Sequence, residues 1–290
     1  MTTVFLNGNF MPIEEAKVPV LDRGFIFGDG IYELVPVYSR APFRLDGHLA
    51  RMERSLSEVK ITNPYPRDEW SRIIEQMIDK HTFEDQAIYW QITRGVAKRD
   101  HAFPKNVQPT VFMMSNPLVN PSKDIIEQGG KAVTSPDFRW HRCDLKTISL
   151  IGNCMLRQLS AEEDALETLL FRDGKLTEAS ASNAYIVKNG VIATPPKDHF
   201  ILPGITLDVV FDIVGRGNLP MEVREISEAE VFDADEVWVT SSSKEIVAIV
   251  DIDGKRIGSG KPGPVFRKAW QLYQEFKTEV MREKRQAKAA

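Results

Sequence analysis

The sequence predicts an α+β fold built as two domains, and three observations carry that prediction. Strand-like and helix-like periodicities are interleaved along the chain. The stretch NPLVNPSK at residues 116–123, with two prolines among polar neighbours, reads as a linker. Strands and helices occur on both sides of it, with no internal repeat and no low-complexity tract. The expected division is a smaller N-terminal domain over residues 1–117, a linker over 118–130 and a larger C-terminal domain over 131–290.

Residues 3–6 and 10–13 flank Asn7-Gly8-Asn9 and read as an opening β-hairpin. In the run from Asp22 to Glu33, DRGFIFGDGIYE, three glycines in seven residues imply tight turns or close backbone approach instead of a regular element. The spacing is not a dinucleotide fingerprint, because a strand-like run over 31–38 follows where a helix would be needed. Asp46 precedes a helix over about 48–60 with the apolar stripe Leu49, Met52, Leu56 and Val59. Arg51 lies off that stripe, and the pattern alone leaves it a solvated arginine. A second helix is expected over 67–80, then strands over 87–93 and 110–114. The loop over 94–104 between those strands holds Arg99 and His101. Two residues apart in an extended segment, they point the same way and could clamp a carboxylate, whose geometry matches arginine's planar fork. A charged surface loop is the alternative.

Beyond the linker, a strand is expected over 131–134 and a helix over 149–163. Short strands flank the turns Asp173-Gly174 and Asn189-Gly190, including a clear strand over 183–188. Leu202-Pro203-Gly204-Ile205-Thr206 leads into a helix through Val209, Val210 and Ile213; with Thr206 as cap, its N-terminus is a ready anion site. A strand over 236–240 opens into Ser241-Ser242-Ser243, hydroxyls that suit a phosphate or a capping turn.

With 42% hydrophobic and 27% charged residues and a net charge of −4, the composition is that of a globular protein and gives no electrostatic case for nucleic acid or an anionic membrane. The basic run over 282–288 reads as a frayed tail. Cys143 and Cys154 lack the spacing and the histidine neighbours of a metal site and are too few for a disulfide framework. The first residues show no signal-peptide pattern, and no window is apolar enough to span a membrane, so a soluble, cytoplasmic protein is expected.

The segment from Arg142 to Asn183 holds the chemistry. Lys146 is the one lysine in a largely uncharged window, and Glu178 is a lone acid in the small-residue run Thr177-Glu178-Ala179-Ser180-Ala181-Ser182-Asn183. A lysine among apolar neighbours has its charged form disfavoured and becomes a nucleophile toward carbonyls. An acid beside a pyridine nitrogen keeps that nitrogen protonated, the condition that makes pyridoxal phosphate an electron sink. A snorkelling lysine is the bland alternative.

Taken together, RGFIFGDGIYE, HLARMERS, CDLKTISLIGN, LTEASASN, LPGIT and VTSSSKEI resemble, in order and spacing, the fold type IV pyridoxal-phosphate enzymes. That family includes the D-amino-acid and branched-chain aminotransferases and aminodeoxychorismate lyase. The resemblance covers nearly the whole chain and implies a small N-terminal α/β domain beside a larger domain with a β-barrel-like core. Lys146 looks like the lysine that holds pyridoxal 5'-phosphate and moves the proton. Glu178 looks like the acid on the ring nitrogen. Arg51, Ile205, Thr206, Ser241 and Ser242 look like the phosphate ligands. The Arg-x-His before Ala-Phe-Pro is similar to the D-amino-acid group, where this pair and the tyrosine of GDGxYE hold the α-carboxylate; here they are Arg99, His101 and Tyr32. In that group the loop reaches the partner subunit's site, so the resemblance implies a homodimer and transamination of a D-amino acid with a 2-oxo acid such as 2-oxoglutarate or pyruvate. The same scaffold leaves open a branched-chain L-amino-acid aminotransferase and an (R)-amine transaminase. Two departures stand out. Pro36 replaces a residue that often donates, and Asp100 puts an acid in the trap, where it could repel dicarboxylates.

Overall fold

The computed structural model describes residues 2–279. It has the expected mixture of strands and helices, in two compact units. One contains residues 2–119 with Leu145–Leu150, the other Asn120–Asp144 with 151–279. Among the described residues no helix is long and apolar enough to cross a membrane.

The first unit holds β1 (Thr3–Leu6), β2 (Asn9–Pro12), α1 (Arg23–Phe27), β3 (Gly30–Tyr38), β4 (Ala41–Pro42), α2 (Leu45–Glu58), α3 (Arg67–Asp79), β5 (Gln86–Thr93) and β6 (Thr110–Pro117). Its sheet is antiparallel throughout, in the order β2-β1-β6-β5-β3-β4. Ile31 and Val35 of β3 and Ile88 and Trp90 of β5 share one buried cluster with Leu49, Met52 and Leu56 of α2 and Trp70 and Ile74 of α3. Each such side chain contributes about 1.5–3 kcal/mol by leaving water. The period of two along β3 sends Ile31, Glu33 and Val35 to the fully buried side, while Tyr32 and Leu34 stay half-buried on the other.

The second unit follows as α4 (Lys123–Gln128), β7 (Gly130–Pro136), α5 (Ile151–Glu162), β8 (Glu167–Arg172), β9 (Lys175–Ala179), β10 (Asn183–Lys188), β11 (Val191–Thr194), α6 (Ile205–Arg216), β12 (Met221–Val223), α7 (Glu228–Phe232), β13 (Glu236–Ser241), β14 (Glu245–Ile252), β15 (Lys255–Arg256) and α8 (Pro264–Lys277). The sheet is mixed, in the order β12-β11-β10-β13-β14-β7-β8-β9, with β15 on β14. Edge strand β9 also packs against β10, so the sheet curls. The two hairpin turns work because Asp173, Gly174, Asn189 and Gly190 all adopt positive φ, the backbone of a tight two-residue hairpin.

The structure corrects several expectations. The glycine-rich run contains a regular element, α1, because Asp22 caps it by accepting from Gly24 N at 2.8 Å and Gly28, at φ 65°, ends it. Helix α2 starts at Leu45, so Asp46 lies in its first turn instead of capping it. Arg51 is buried, not solvated. Thr206 does not cap α6; Gly204 occupies the cap position and Thr206 is buried in the first turn. Strand β6 runs through Pro117, so the first two residues of the 116–123 stretch belong to it, and α4 forms within residues 118–130. The basic run over 282–288 lies outside the described residues.

Candidate active site

Lys146 sits in the segment that rejoins the first unit. Thr147 bridges Ile31, Tyr32 N donates to Lys146 O at 2.9 Å and Ile148 N donates to Gly30 O at 3.1 Å. A Cβ on Gly30 would lie 2.6 Å from Ile92 O and 3.0 Å from Ile148 Cδ1, so glycine is what admits the segment. This is the close approach expected of the glycine-rich run. The result places Lys146 Nζ 4.1 Å from the centre of the Tyr32 ring, with Lys146 half-buried.

On the other side of β3, Glu33 is fully buried and takes both prongs of Arg51, Nε to Oε1 and Nη2 to Oε2, each at 2.7 Å. His48 Nδ1 lies 2.8 Å from Glu33 Oε2. Burial works to raise the Glu33 carboxyl, but the Arg51 charge and the hydrogen bonds from Arg51 and His48 overcome it and hold Glu33 at about 2. Burial lowers the His48 imidazole by more than Glu33 raises it, and His48 Nε2 is buried with no hydrogen-bond partner. Arg51 is therefore a rigid cation.

Arg99 and His101 are both exposed on the loop that follows β5. They meet at one ring: Arg99 Cζ lies 5.2 Å from the centre of Phe27, and the His101 ring centre lies 5.4 Å from it. Asp100 turns its carboxylate to the loop itself, Oδ1 accepting from Ala102 N at 3.1 Å.

In the second unit, Glu178 at the end of β9 is buried. Its Oε1 accepts from Arg139 Nη1 at 2.6 Å; its Oε2 accepts from Leu202 N at 3.0 Å and Asn183 Nδ2 at 3.2 Å. Arg139 in turn is held by Asp137, with Nε on Oδ1 at 2.9 Å. Burial pushes the Glu178 carboxyl up to about 7, against the lowering effect of Arg139 and Leu202 N. The donors present thus leave the buried anion incompletely compensated.

Also in the second unit, Ile205 and Thr206 form the first turn of α6, where Gly204 provides no side-chain cap and the backbone N–H donors are available to an anion. A Cβ on Gly204 would lie 2.2 Å from Asn183 Oδ1, so the backbone approaches the Glu178 partners closely. Ser241 ends β13, with its Oγ accepting from Lys244 N at 3.1 Å, and Ser242 follows half-buried. Helix-terminal amides and serine hydroxyls are each donors of a kind suited to a phosphate.

Two contributors were not singled out from the sequence, Arg139 and His48. An arginine in the aromatic run Phe138-Arg139-Trp140 is a weak signal, whereas His48 lies three residues before Arg51 in HLARMERS, on one face of the same helix.

The amino-transferase class IV family model matches residues 30–252. The chain belongs to the class IV aminotransferases. As a member of this class it is a pyridoxal-phosphate-dependent aminotransferase. It is 38% identical over 277 residues to the D-alanine aminotransferase of Staphylococcus aureus strain N315, covering 95% of this chain and 98% of that one. It is 37% identical over 262 residues to the D-alanine aminotransferase of Bacillus licheniformis, covering 90% and 92%. Its fold is similar to that of the branched-chain amino acid aminotransferase of Escherichia coli, with a TM-score of 0.88, 23% identity and 94% of each chain covered. The fold type IV architecture expected for this class is therefore the one observed.

Proposed function

We propose that this aminotransferase moves the amino group of a D-amino acid of the D-alanine type to a 2-oxo acid, 2-oxoglutarate or pyruvate, by a ping-pong cycle. The observation that carries this reading is the near full-length likeness to D-alanine aminotransferases, at 37–38% identity. The likeness to branched-chain enzymes is one of fold.

Bound to the protein, pyridoxal phosphate supplies the electron sink that lets the substrate's Cα–H bond break. Lys146 would hold the cofactor, and its amine would serve as the general base that takes the substrate's α-proton and the general acid that returns it. Tyr32, Arg99 and His101 hold the α-carboxylate, with Arg99 providing the planar fork. Glu178 keeps the ring nitrogen protonated. Arg51, Ile205, Thr206, Ser241 and Ser242 bind the phosphate, with Glu33 keeping the Arg51 guanidinium in one orientation.

We place the enzyme in the cytoplasm as a homodimer in which the Arg99–His101 loop serves the partner's site. Exposed Val20, Leu21, Phe25, Val96 and Phe103, all close in sequence to α1 or this loop, support burial against a second copy. Both cysteines are free, in keeping with a reducing compartment.

Initial rates with varied D-alanine and 2-oxoglutarate test the reading. Parallel double-reciprocal lines with D-alanine and little turnover of L-leucine are expected; preferred turnover of L-leucine would replace it with the branched-chain activity.

A further inference from the structure

The proposed carboxylate clamp rests on a buried support that the chemistry above does not use. Arg23, 3% exposed, directs its guanidinium at three successive carbonyls of the clamp loop. Nη1 donates to Asp100 O at 2.5 Å and to Ala102 O at 3.4 Å, and Nη2 donates to His101 O at 3.4 Å. Its Nε donates to Asp29 Oδ2 at 2.7 Å. Asp29 also takes Arg94 through Nε at 2.8 Å and Nη2 at 2.9 Å, and Arg94 reaches the end of α2 through Val59 O and Lys60 O, each at 2.8 Å. Burial opposes the Asp29 charge, but Arg94 and Arg23 hold its carboxyl below the ordinary value. Phe27, one helical turn beyond Arg23, receives the Arg23 guanidinium at 4.8 Å as well as Arg99 and His101.

We propose that Arg23 and Phe27, locked by Asp29, are positioning residues that preform the Arg99–His101 clamp and thereby set affinity for the substrate's carboxylate. The inference rests on the clamp reading above. Arg99 and His101 are exposed, so fixing them only when substrate arrives would cost roughly 0.5–1.5 kcal/mol per side chain in ordering. Arg23 fixes the backbone beneath them, and one aromatic ring, Phe27, contacts both side chains. An interaction with a carboxylate that does not change during the reaction acts on KM, not kcat.

Arg23→Lys keeps a cation opposite Asp29 but cannot span three carbonyls, and Phe27→Leu removes the ring but keeps an apolar side chain. In the holoenzyme, KM for D-alanine and for 2-oxoglutarate and the inhibition constant of propionate, an unreactive carboxylate, should each rise about tenfold, as expected for a spoiled contact to a charged group. Hydrogen exchange over residues 99–102 should quicken, while kcat and the cofactor's absorbance stay close to wild type. Unchanged propionate inhibition and unchanged exchange in both variants would overturn the proposal, as would a loss confined to kcat. Arg99→Ala, measured in parallel, separates the two levels. If it weakens propionate while Arg23→Lys and Phe27→Leu do not, only the positioning role fails; if it has no effect, the clamp reading fails and this inference with it.

Discussion

Arg139 Nη1 donates to Glu178 Oε1 across 2.6 Å, and the pair lies buried in the second unit. One arginine does not fully offset the burial of that carboxylate, which is why its proton is held up to about 7. The consequence can be read without the cofactor. With the folded value near 7 and the ordinary value 4.5, the folded chain binds more protons than the unfolded chain between those limits. The contribution of Glu178 to stability is therefore full below the lower value and is lost as pH rises through the upper one. Melts of cofactor-free protein should show Glu178→Gln gaining on wild type as pH rises across that window. Parallel curves for the two proteins would contradict the assignment.

Glu33 behaves in the opposite sense. Its carboxyl is held at about 2 while buried against Arg51 and His48. Its contribution is present above the ordinary 4.5 and is lost only as pH falls through about 2. Glu33→Ala leaves a buried arginine without its carboxylate, and about 3–5 kcal/mol of stability should disappear in a denaturant titration. The variant should also bind pyridoxal phosphate more weakly, because Arg51 loses the bidentate contact that orients it.

Two residues of the proposed site, Lys146 and Glu178, stand out along the chain because they are isolated by composition. Lys146 stands alone in an uncharged window and Glu178 alone among small residues, so each is visible locally. The supporting groups are not visible in this way. Arg23 meets the backbone of Asp100 from 77 residues away, and Arg139 meets Glu178 from 39. No periodicity reports such pairings. Arg51 illustrates the same limit: lying off the apolar stripe of α2 implied solvent, yet Glu33 on the neighbouring strand draws it into the core. The hairpins at Asp173-Gly174 and Asn189-Gly190 were legible because their turn chemistry is local. Strand β14 and helix α8 had no counterpart in the expectations. β14 is buried along most of its length and does not alternate, and the N-terminus of α8 is held by Glu236, which accepts from Val265 N and Phe266 N.

Lys146→Ala should leave the fold intact, since the segment is anchored by backbone bonds between Lys146 O and Tyr32 N and between Ile148 N and Gly30 O. Turnover should fall by more than about a thousandfold with the loss of the general base, and the long-wavelength absorbance of lysine-bound cofactor should vanish. A melt superimposable on wild type confirms that the loss is chemical. Ordinary turnover in this variant would remove Lys146 from the mechanism.

The most direct test of the central claim is the absorbance spectrum of the purified holoenzyme, recorded before and after D-alanine and, separately, before and after L-alanine. The expected result is a long-wavelength cofactor band that D-alanine discharges and L-alanine leaves in place. A band discharged by L-alanine alone, or no band after incubation with pyridoxal phosphate, would contradict it.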